Sequence, residues 1–531
     1  WLKPFWLKSR LGPNSVAIRS AQFVAPAPVT EQASARQNAM YNPHAGDDVA
    51  MYFPIFELVV AAGEHMKTFV ACWIIALCAA RPKLRLPILL APPLWLVCMV
   101  GFSIFESRRM ARLQGYDMAM PPLRDALERY IETGEGGEPT EIISSRKYPP
   151  TIGYWELSRY LGVSFYEFAT KTQGQDHANI HEGYNKGHDW FEHTLGEPMF
   201  YSSGFFHEGL HDTSGPMGGG LTNPDKLGPF TETLETAQLR KMEYITHALG
   251  LKPGMKVLDI GSGWGRFAEF MASKGADVTG VVVAKDLAAY ARRLNKHHGD
   301  KVRFILKNFY DDLGLPEKSF DVISAVEMSE HAGVAKFNVF LKKVHSLLKD
   351  GGTFYIQCSG LQRGYAKDYN NYEELVWGIF MEQHIFPGAD SSTPLGWITT
   401  HLERAGFEVQ VAHNMFNSYG RTLNEWRLLW NRKKDDIVPI YGIKAWRRWN
   451  VFLAWCLDLR RGGSTVNFIT ATKSGNFEAR YHAQARLAPG AWASPSVEAL
   501  GKLAPRQGDG SHIEKCNAGG YNTSAAPCEL E

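Results

Sequence analysis

The alternation of apolar and polar positions organises the second half of this chain. Short apolar runs recur at 256–260, 277–283, 302–308, 320–326 and 352–358, and the stretches between them carry apolar residues at helical spacing. That pattern predicts a parallel, doubly wound α/β sheet whose ligands sit at the carboxyl ends of its strands. Two later runs, 407–414 and 464–473, would complete a sheet of about seven strands.

The first half reads differently. Residues 1–50 have no period and are rich in Ala, Pro, Ser, Asn and Gln, which predicts a disordered arm. Residues 86–105 are 20 consecutive positions without a charge, enough to cross about 30 Å of hydrocarbon. The preceding run, 68–80, reaches spanning length only by extending back past Glu64, His65 and Lys67. Residues 51–110 are therefore expected to form a transmembrane helical hairpin, with segments at 58–80 and 86–105. Basic residues flank the second segment on both sides (Arg81, Lys83, Arg85, then Arg108, Arg109, Arg112), so charge asymmetry assigns no orientation. A spanning hairpin, an interfacial or re-entrant one, and a buried helical pair all remain open. Residues 111–180 read as a helical connector, and 476–531, where periodicity is lost, as a disordered tail.

Composition narrows the function. At 531 residues the chain is too long for one core. With 57 basic and 55 acidic residues and no basic stripe, it lacks a nucleic-acid footprint. Seven cysteines form no C-x-x-C pair, which argues against a disulfide framework or a zinc site. His181, His188, His193 and His207 match no H-E-x-x-H spacing, so no metal is expected.

The chemistry centres on residues 256–265, KVLDIGSGWG. An apolar strand runs into three alternating glycines, Gly261, Gly263 and Gly265, and a helix is predicted to open at Trp264, which together make a nucleotide-type pocket. The spacing is G-x-G-x-G rather than the dinucleotide fingerprint, and Asp259 stands two positions before the first glycine. A carboxylate there repels a pyrophosphate but attracts an ammonium and a sulfonium, which favours S-adenosylmethionine over NAD. Upstream, residues 181–206 mix aromatic and polar residues as a lid would. Tyr184, Trp190, Phe191 and Tyr201 could close over a sulfonium, with ordinary core packing as the alternative. Glu327, Glu330 and His331 follow the 320–326 run, where at least one carboxylate should face the ligand; Glu327 reads by default as a solvated loop charge.

The blocks YNKGHDWF (184–191), MFYSSGFF (199–206), VLDIGSGWG (257–265), EHAG (330–333) and IFPGA (385–389) resemble the cyclopropane-fatty-acyl-phospholipid synthase family, which includes the mycolic acid methyltransferases, over residues 181–475. With the apolar hairpin in front, the chain is most similar to the fungal-type sphingolipid C-9 methyltransferases. The resemblance implies a Rossmann-like class I methyltransferase fold with a helical lid and S-adenosylmethionine as cofactor. It places Tyr184, Tyr201, Ser202, Val257, Leu258, Asp259, Ile260, Gly261, Ser262, Gly263, Trp264, Gly265, Asn308 and Phe309 around that cofactor. Val282 and Leu287 stand where the family commonly carries Thr and Gln, which leaves Asp286 as a candidate replacement.

The resemblance also implies methylation of an alkene carbon, C-9, of the sphingoid base in ceramide or glucosylceramide. The alternatives are a cyclopropane synthase on phospholipid acyl chains and a catalytically dead membrane-anchored scaffold. It further implies a protein of the endoplasmic reticulum or another endomembrane, with its catalytic region in the cytosol, where S-adenosylmethionine is made. Relatives hold a bicarbonate as proton acceptor. Glu330 and Tyr419 match two of its ligand positions, while Gln357 and Ser203 stand where a His and a Cys would be. Glu330 is accordingly expected to accept the proton, directly or through a bound oxyanion, with Tyr419 orienting it.

Overall fold

In the computed structural model the described residues lie between 70 and 500, without 171–185, 207–231, 362–371 and a few shorter stretches. Expectations for residues 1–69, for Tyr184 and for 501–531 fall outside the described residues. Seven strands form one sheet: β1 (Lys256–Ile260), β2 (Asp277–Val282), β3 (Val302–Leu306), β4 (Phe320–Val326), β5 (Leu348–Leu361), β6 (Phe407–Asn414) and β7 (Ser464–Lys473). Their order is β3-β2-β1-β4-β5-β7-β6, parallel except for β7, which runs antiparallel to both neighbours. This is the class I methyltransferase fold.

The strands were legible because a sheet covered on both faces reads as near-continuous apolar runs. All but the first residue of β1 and of β2 are buried, and the same holds for β7 up to a half-buried Ser464. From β1 the chain winds one way to β2 and β3 and the other way to β4, so the crevice between β1 and β4 is the topological switch point. Register sets Asp259 beside Ser324 on β4 and beside Gly280 on β2. One boundary differs from expectation. The helix after the glycine turn is Arg266–Ser273, and Gly265 caps it at φ 79° instead of the helix opening at Trp264.

A second layer of helices packs beside the sheet. Helices Phe416–Arg432 and Ile443–Leu459 contribute Trp426, Trp430, Trp449 and Trp455, all fully buried. Trp190 and Phe191 belong to this aromatic core: their rings lie 4.6 Å from Trp430 and 4.8 Å from Trp264. Of the two roles left open for them, lid or core, the structure shows core packing. The expected connector is helical but is built into the same layer. Asn450 donates to the Tyr130 hydroxyl at 3.3 Å, and Arg427 donates to Glu138 at 3.1 Å. The expected disordered tail is corrected in its first part, where Phe477–Leu487 is a helix and Arg486 donates to the Ala248 carbonyl at 3.2 Å.

At the other end, residues 70–79 are helical and lead into the 32-residue helix Pro82–Leu113, with the Trp73 indole donating to the Ile88 carbonyl at 2.9 Å. Among the described residues no helix is long and apolar enough to cross a membrane, so the expected transmembrane hairpin finds no support. The uncharged run is the middle of a longer helix. Val100, Ser103, Ser107 and Ala111 are buried against the protein, whereas Leu86, Leu89, Leu90, Leu94 and Val97 point outward.

The glycine turn can be tested by adding one methyl. A Cβ on Gly265 would lie 2.8 Å from Ala291 Cβ and 2.9 Å from Phe304, whereas one on Gly263 would meet nothing within 4 Å. Both glycines have positive φ. Gly265→Ala should lower stability in urea unfolding by about 3 kcal/mol, combining backbone strain with overpacking. Gly263→Ala should cost about 1 kcal/mol, from strain alone.

Candidate active site

The carboxyl ends of β1 and β4 open on a cavity whose empty space, open solvent included, is about 1160 Å³. Asp259 forms one end of it. Its Oδ1 accepts from Ser324 Oγ at 2.7 Å, while Ser262 Oγ donates to its main-chain oxygen at 2.8 Å. Gly280 leaves the room for this, since a Cβ there would lie 2.5 Å from Ser262 Oγ. Burial raises the Asp259 carboxyl to about 6, with the two serines opposing the shift, so it is ionised at neutral pH.

Of the residues expected around a cofactor, Tyr201, Asp259, Ile260, Gly261, Ser262, Gly263, Trp264, Val282, Leu287, Asn308 and Phe309 line this cavity. Val257 and Leu258 are fully buried behind the turn, and Gly265 packs against Ala291. Asp286 is not in the wall; Val283 and Lys307, which sequence reasoning missed, are. The turn's positive φ angles, the anionic end and the open space along Gly263 fit an adenosyl donor that carries a positive charge.

Glu327 is the main residue that sequence reasoning undervalued. It is no solvated loop charge. It follows β4 directly at φ 50°, and its N–H donates to the Gln357 carbonyl at 2.9 Å, which keeps the backbone in the sheet. The side chain faces the cavity and is otherwise enclosed by protein. Oε1 accepts from Gln357 Nε2 at 2.8 Å, Oε2 accepts from the Tyr419 hydroxyl at 3.3 Å, and Ser202 adds a third hydrogen bond. The Gln357 amide also donates to Ser202 Oγ at 3.0 Å and Ser203 Oγ at 3.2 Å, and Lys241 Nζ donates to Ser202 Oγ. Burial raises Glu327, opposed first by Lys241 and then by these donors. Lys241 is completely buried, 4.6 Å from the Phe200 ring, and burial pushes its amine down to about 7 against the pull of Glu327. The signal available in sequence was position: a carboxylate one residue past a parallel strand.

Tyr419, Gln357, Ser202 and Ser203 are thus brought together, but around Glu327. Glu330 does not line the main cavity. It sits in a small separate one with Cys358 and Ser359, where Oε1 accepts from the Ser359 N–H at 2.6 Å. Burial, then the charge of Glu327, pushes its carboxyl up to about 8, so at neutral pH it is a neutral acid. Among the described residues the group of metal-ligating type, Glu269 with His297 and His298, also lies outside the main cavity.

A class I methyltransferase fold thus carries an anionic glycine turn and a carboxylate cluster at its switch point. The mycolic acid cyclopropane synthetase family matches residues 171–468, more than half of the chain, and the chain belongs to that family. It is 34% identical over 315 residues to sphingolipid C9-methyltransferase 2 of Gibberella zeae, covering 58% of this chain and 56% of that protein. It is 35% identical over 309 residues to the sphingolipid C9-methyltransferase of Komagataella phaffii, covering 56% of this chain and 58% of that one. The chain therefore spans less than two thirds of these curated relatives. The solved cyclopropane synthase MmaA2 of Mycobacterium tuberculosis is 22% identical, with a TM-score of 0.49, covering 56% of this chain and 98% of that one.

The neutral state of Glu330 has a measurable consequence. Its pKa is raised on folding, so its contribution to stability is complete below its unfolded value of 4.5 and is lost as pH rises through about 8. Glu330→Gln keeps an acceptor for the Ser359 N–H but has no proton to lose. In urea titrations the variant should match the parent at pH 5 and be the more stable of the two above pH 8.

Proposed function

We propose that this chain is an S-adenosylmethionine-dependent C-methyltransferase acting on C-9 of the sphingoid base in ceramide or glucosylceramide. One observation carries the reading: Asp259 and Glu327 open on the same cavity, one beside a glycine turn, the other at the centre of converging donors. The names of the curated relatives supply the substrate class.

S-adenosylmethionine supplies a methyl group on a sulfonium, an electrophile that an alkene attacks through its π electrons. Asp259 and the turn would hold the charged donor, and Tyr201, Asn308 and Phe309 would enclose it. Apolar walls such as Phe267, Val282 and Leu287 exclude water, which would otherwise capture the cation left on the neighbouring alkene carbon. A proton must then leave. Loss from the methylated carbon restores the double bond and leaves a branch; loss from the new methyl closes a cyclopropane ring, the alternative on phospholipid acyl chains.

A donor carrying a trideuterated methyl separates these outcomes. The sphingolipid reading predicts a lipid that keeps all three deuteria and its alkene, in cells making unbranched 8-unsaturated sphingoid bases. Loss of one deuterium would mark ring closure, and no labelled lipid would mark a dead scaffold.

The same reading places the protein on an endomembrane with the site on the cytosolic side. Its support is the outward face of helix Pro82–Leu113, where Leu86 is 62% and Leu94 63% exposed next to Arg81, Lys83 and Arg85. Apolar side chains beside basic ones suit an acyl boundary under anionic head groups. Changing Leu86, Leu90 and Leu94 together to Glu should shift the protein from pelleted anionic vesicles to the supernatant by at least about tenfold, because three apolar side chains at roughly 1.5–3 kcal/mol each would be lost from the bilayer.

A further inference from the structure

Four other segments converge on the Glu327 carboxylate. Glu327 follows β4, Gln357 lies on β5, Tyr419 is on helix Phe416–Arg432, Ser202 is in the 199–206 segment, and Lys241 is on helix Leu234–Leu249. Gln357, Tyr419 and Ser203, together with Glu330, occupy positions that, by the family resemblance, would hold a small oxyanion. Here the donors are already taken by a side chain: Gln357 Nε2 reaches Oε1 at 2.8 Å and the Tyr419 hydroxyl reaches Oε2 at 3.3 Å. Ser202 accepts from both Lys241 and Gln357, which leaves its own hydrogen to donate to Glu327.

The backbone adds a second observation. A non-glycine residue at φ 50° is held in a sparsely populated conformation, and the Glu327 N–H bond to the Gln357 carbonyl shows what fixes it. This conformation turns the side chain from the sheet into the cavity. Among the described residues, the groups that act electrostatically on or with Glu327 include Lys241, Glu330, Tyr355, Cys358 and Tyr419, of which Lys241 is the basic one, and His331 lines the same cavity. Lys241 favours the ionised form of the carboxyl it faces, which is Glu327. Gln357, Tyr419, Ser202 and the nearby ammonium favour the ionised form of Glu327, while Glu330 is met by the Ser359 N–H, its own N–H and the Ser329 hydroxyl, with no cation beside it among the described groups acting on it.

We propose that Glu327 is the proton acceptor of the reaction, a carboxylate built into the chain where relatives hold a bound bicarbonate, and that Lys241, acting through Ser202, is a positioning residue that keeps it ionised. The proposal rests on the methyl-transfer reading. In the step assigned to Glu327, the C–H bond of the methylated carbon breaks, its electron pair becomes the restored π bond, and the proton passes to a Glu327 oxygen. The neutral carboxylic acid then returns the proton to solvent between turnovers.

The test uses the full chain in membranes, with labelled methyl donor, in carbon-dioxide-free buffer and in buffer with added bicarbonate or formate. The parent should turn over equally in all three. Glu327→Gln should bind S-adenosylmethionine with unchanged affinity by calorimetry, which shows that it is folded, and should lose about 10²–10⁴-fold in turnover. Glu327→Gly should be as inactive in the carbon-dioxide-free buffer and regain at least about tenfold with bicarbonate or formate, as a free anion fills the vacated place. Lys241→Met should lose activity at neutral pH and recover it at higher pH, because Glu327 then ionises later; a purely structural role would depress the rate evenly across the profile. A parent that stops without bicarbonate, or a Glu327→Gln that keeps parental turnover, would overturn the assignment. A parent that labels no lipid in any buffer would instead overturn the methyl-transfer reading beneath it.

Discussion

A carboxylate enclosed by protein must be met by donors, and meeting the one at Glu327 constrains much of this molecule. Unsatisfied, a buried carboxylate costs several kcal/mol and neutralises. Satisfied, it ties together segments far apart in the chain: Gln357 is 30 residues away, Tyr419 is 92, and the Gln357–Ser202 bond spans 155. The helical layer, the 199–206 segment and the sheet must therefore dock before the whole set of bonds exists. Lys241 completes the arrangement. An ammonium alone among Phe200 and Phe468 would be untenable, and Glu327 is the charge that offsets it.

The rest of the cavity follows from the sheet. Parallel winding brings the ends of β1 and β4 side by side and sets Asp259 against Ser324. Asp259 stays anionic because two serines and the cavity partly replace the water it has lost. The two carboxylates thus stand at one switch point with different partners, one beside hydroxyls and the glycine turn, the other inside a network with a cation. Environments that separate paired acids in this way assign them different tasks. Glu330 shows the opposite case, a third acid in its own small cavity that burial keeps neutral.

The aromatic layer has a packing role and a boundary role. Four fully buried tryptophans supply large apolar area that holds the helices together. Trp190 and Phe191 are drawn into that layer by the same chemistry that made them candidates for a lid. An aromatic side chain is equally suited to covering a cation and to filling a core, and neighbours decide between the two. A similar ambiguity governs helix Pro82–Leu113, whose uncharged run is, among the described side chains, buried at Val100 and Ser103 and presented outward along most of the rest.

By itself the sequence determined the parallel sheet, its seven strands, the glycine turn and the family. Each of these is written locally: periodic apolar runs settle into strands, and glycines are placed where a turn needs positive φ. It also pointed to Gln357, Tyr419 and Ser203 as partners in one cluster. Only the tertiary structure decided that the cluster surrounds Glu327 and not Glu330, three residues on. That choice depends on one backbone angle after β4 and on donors carried there by distant segments, and neither leaves a local pattern. The packing of the 111–180 helices onto Ile443–Leu459 and the ordering of Phe477–Leu487 were hidden for the same reason, because burial against a remote partner is a property of the assembled surfaces and not of any single stretch of chain.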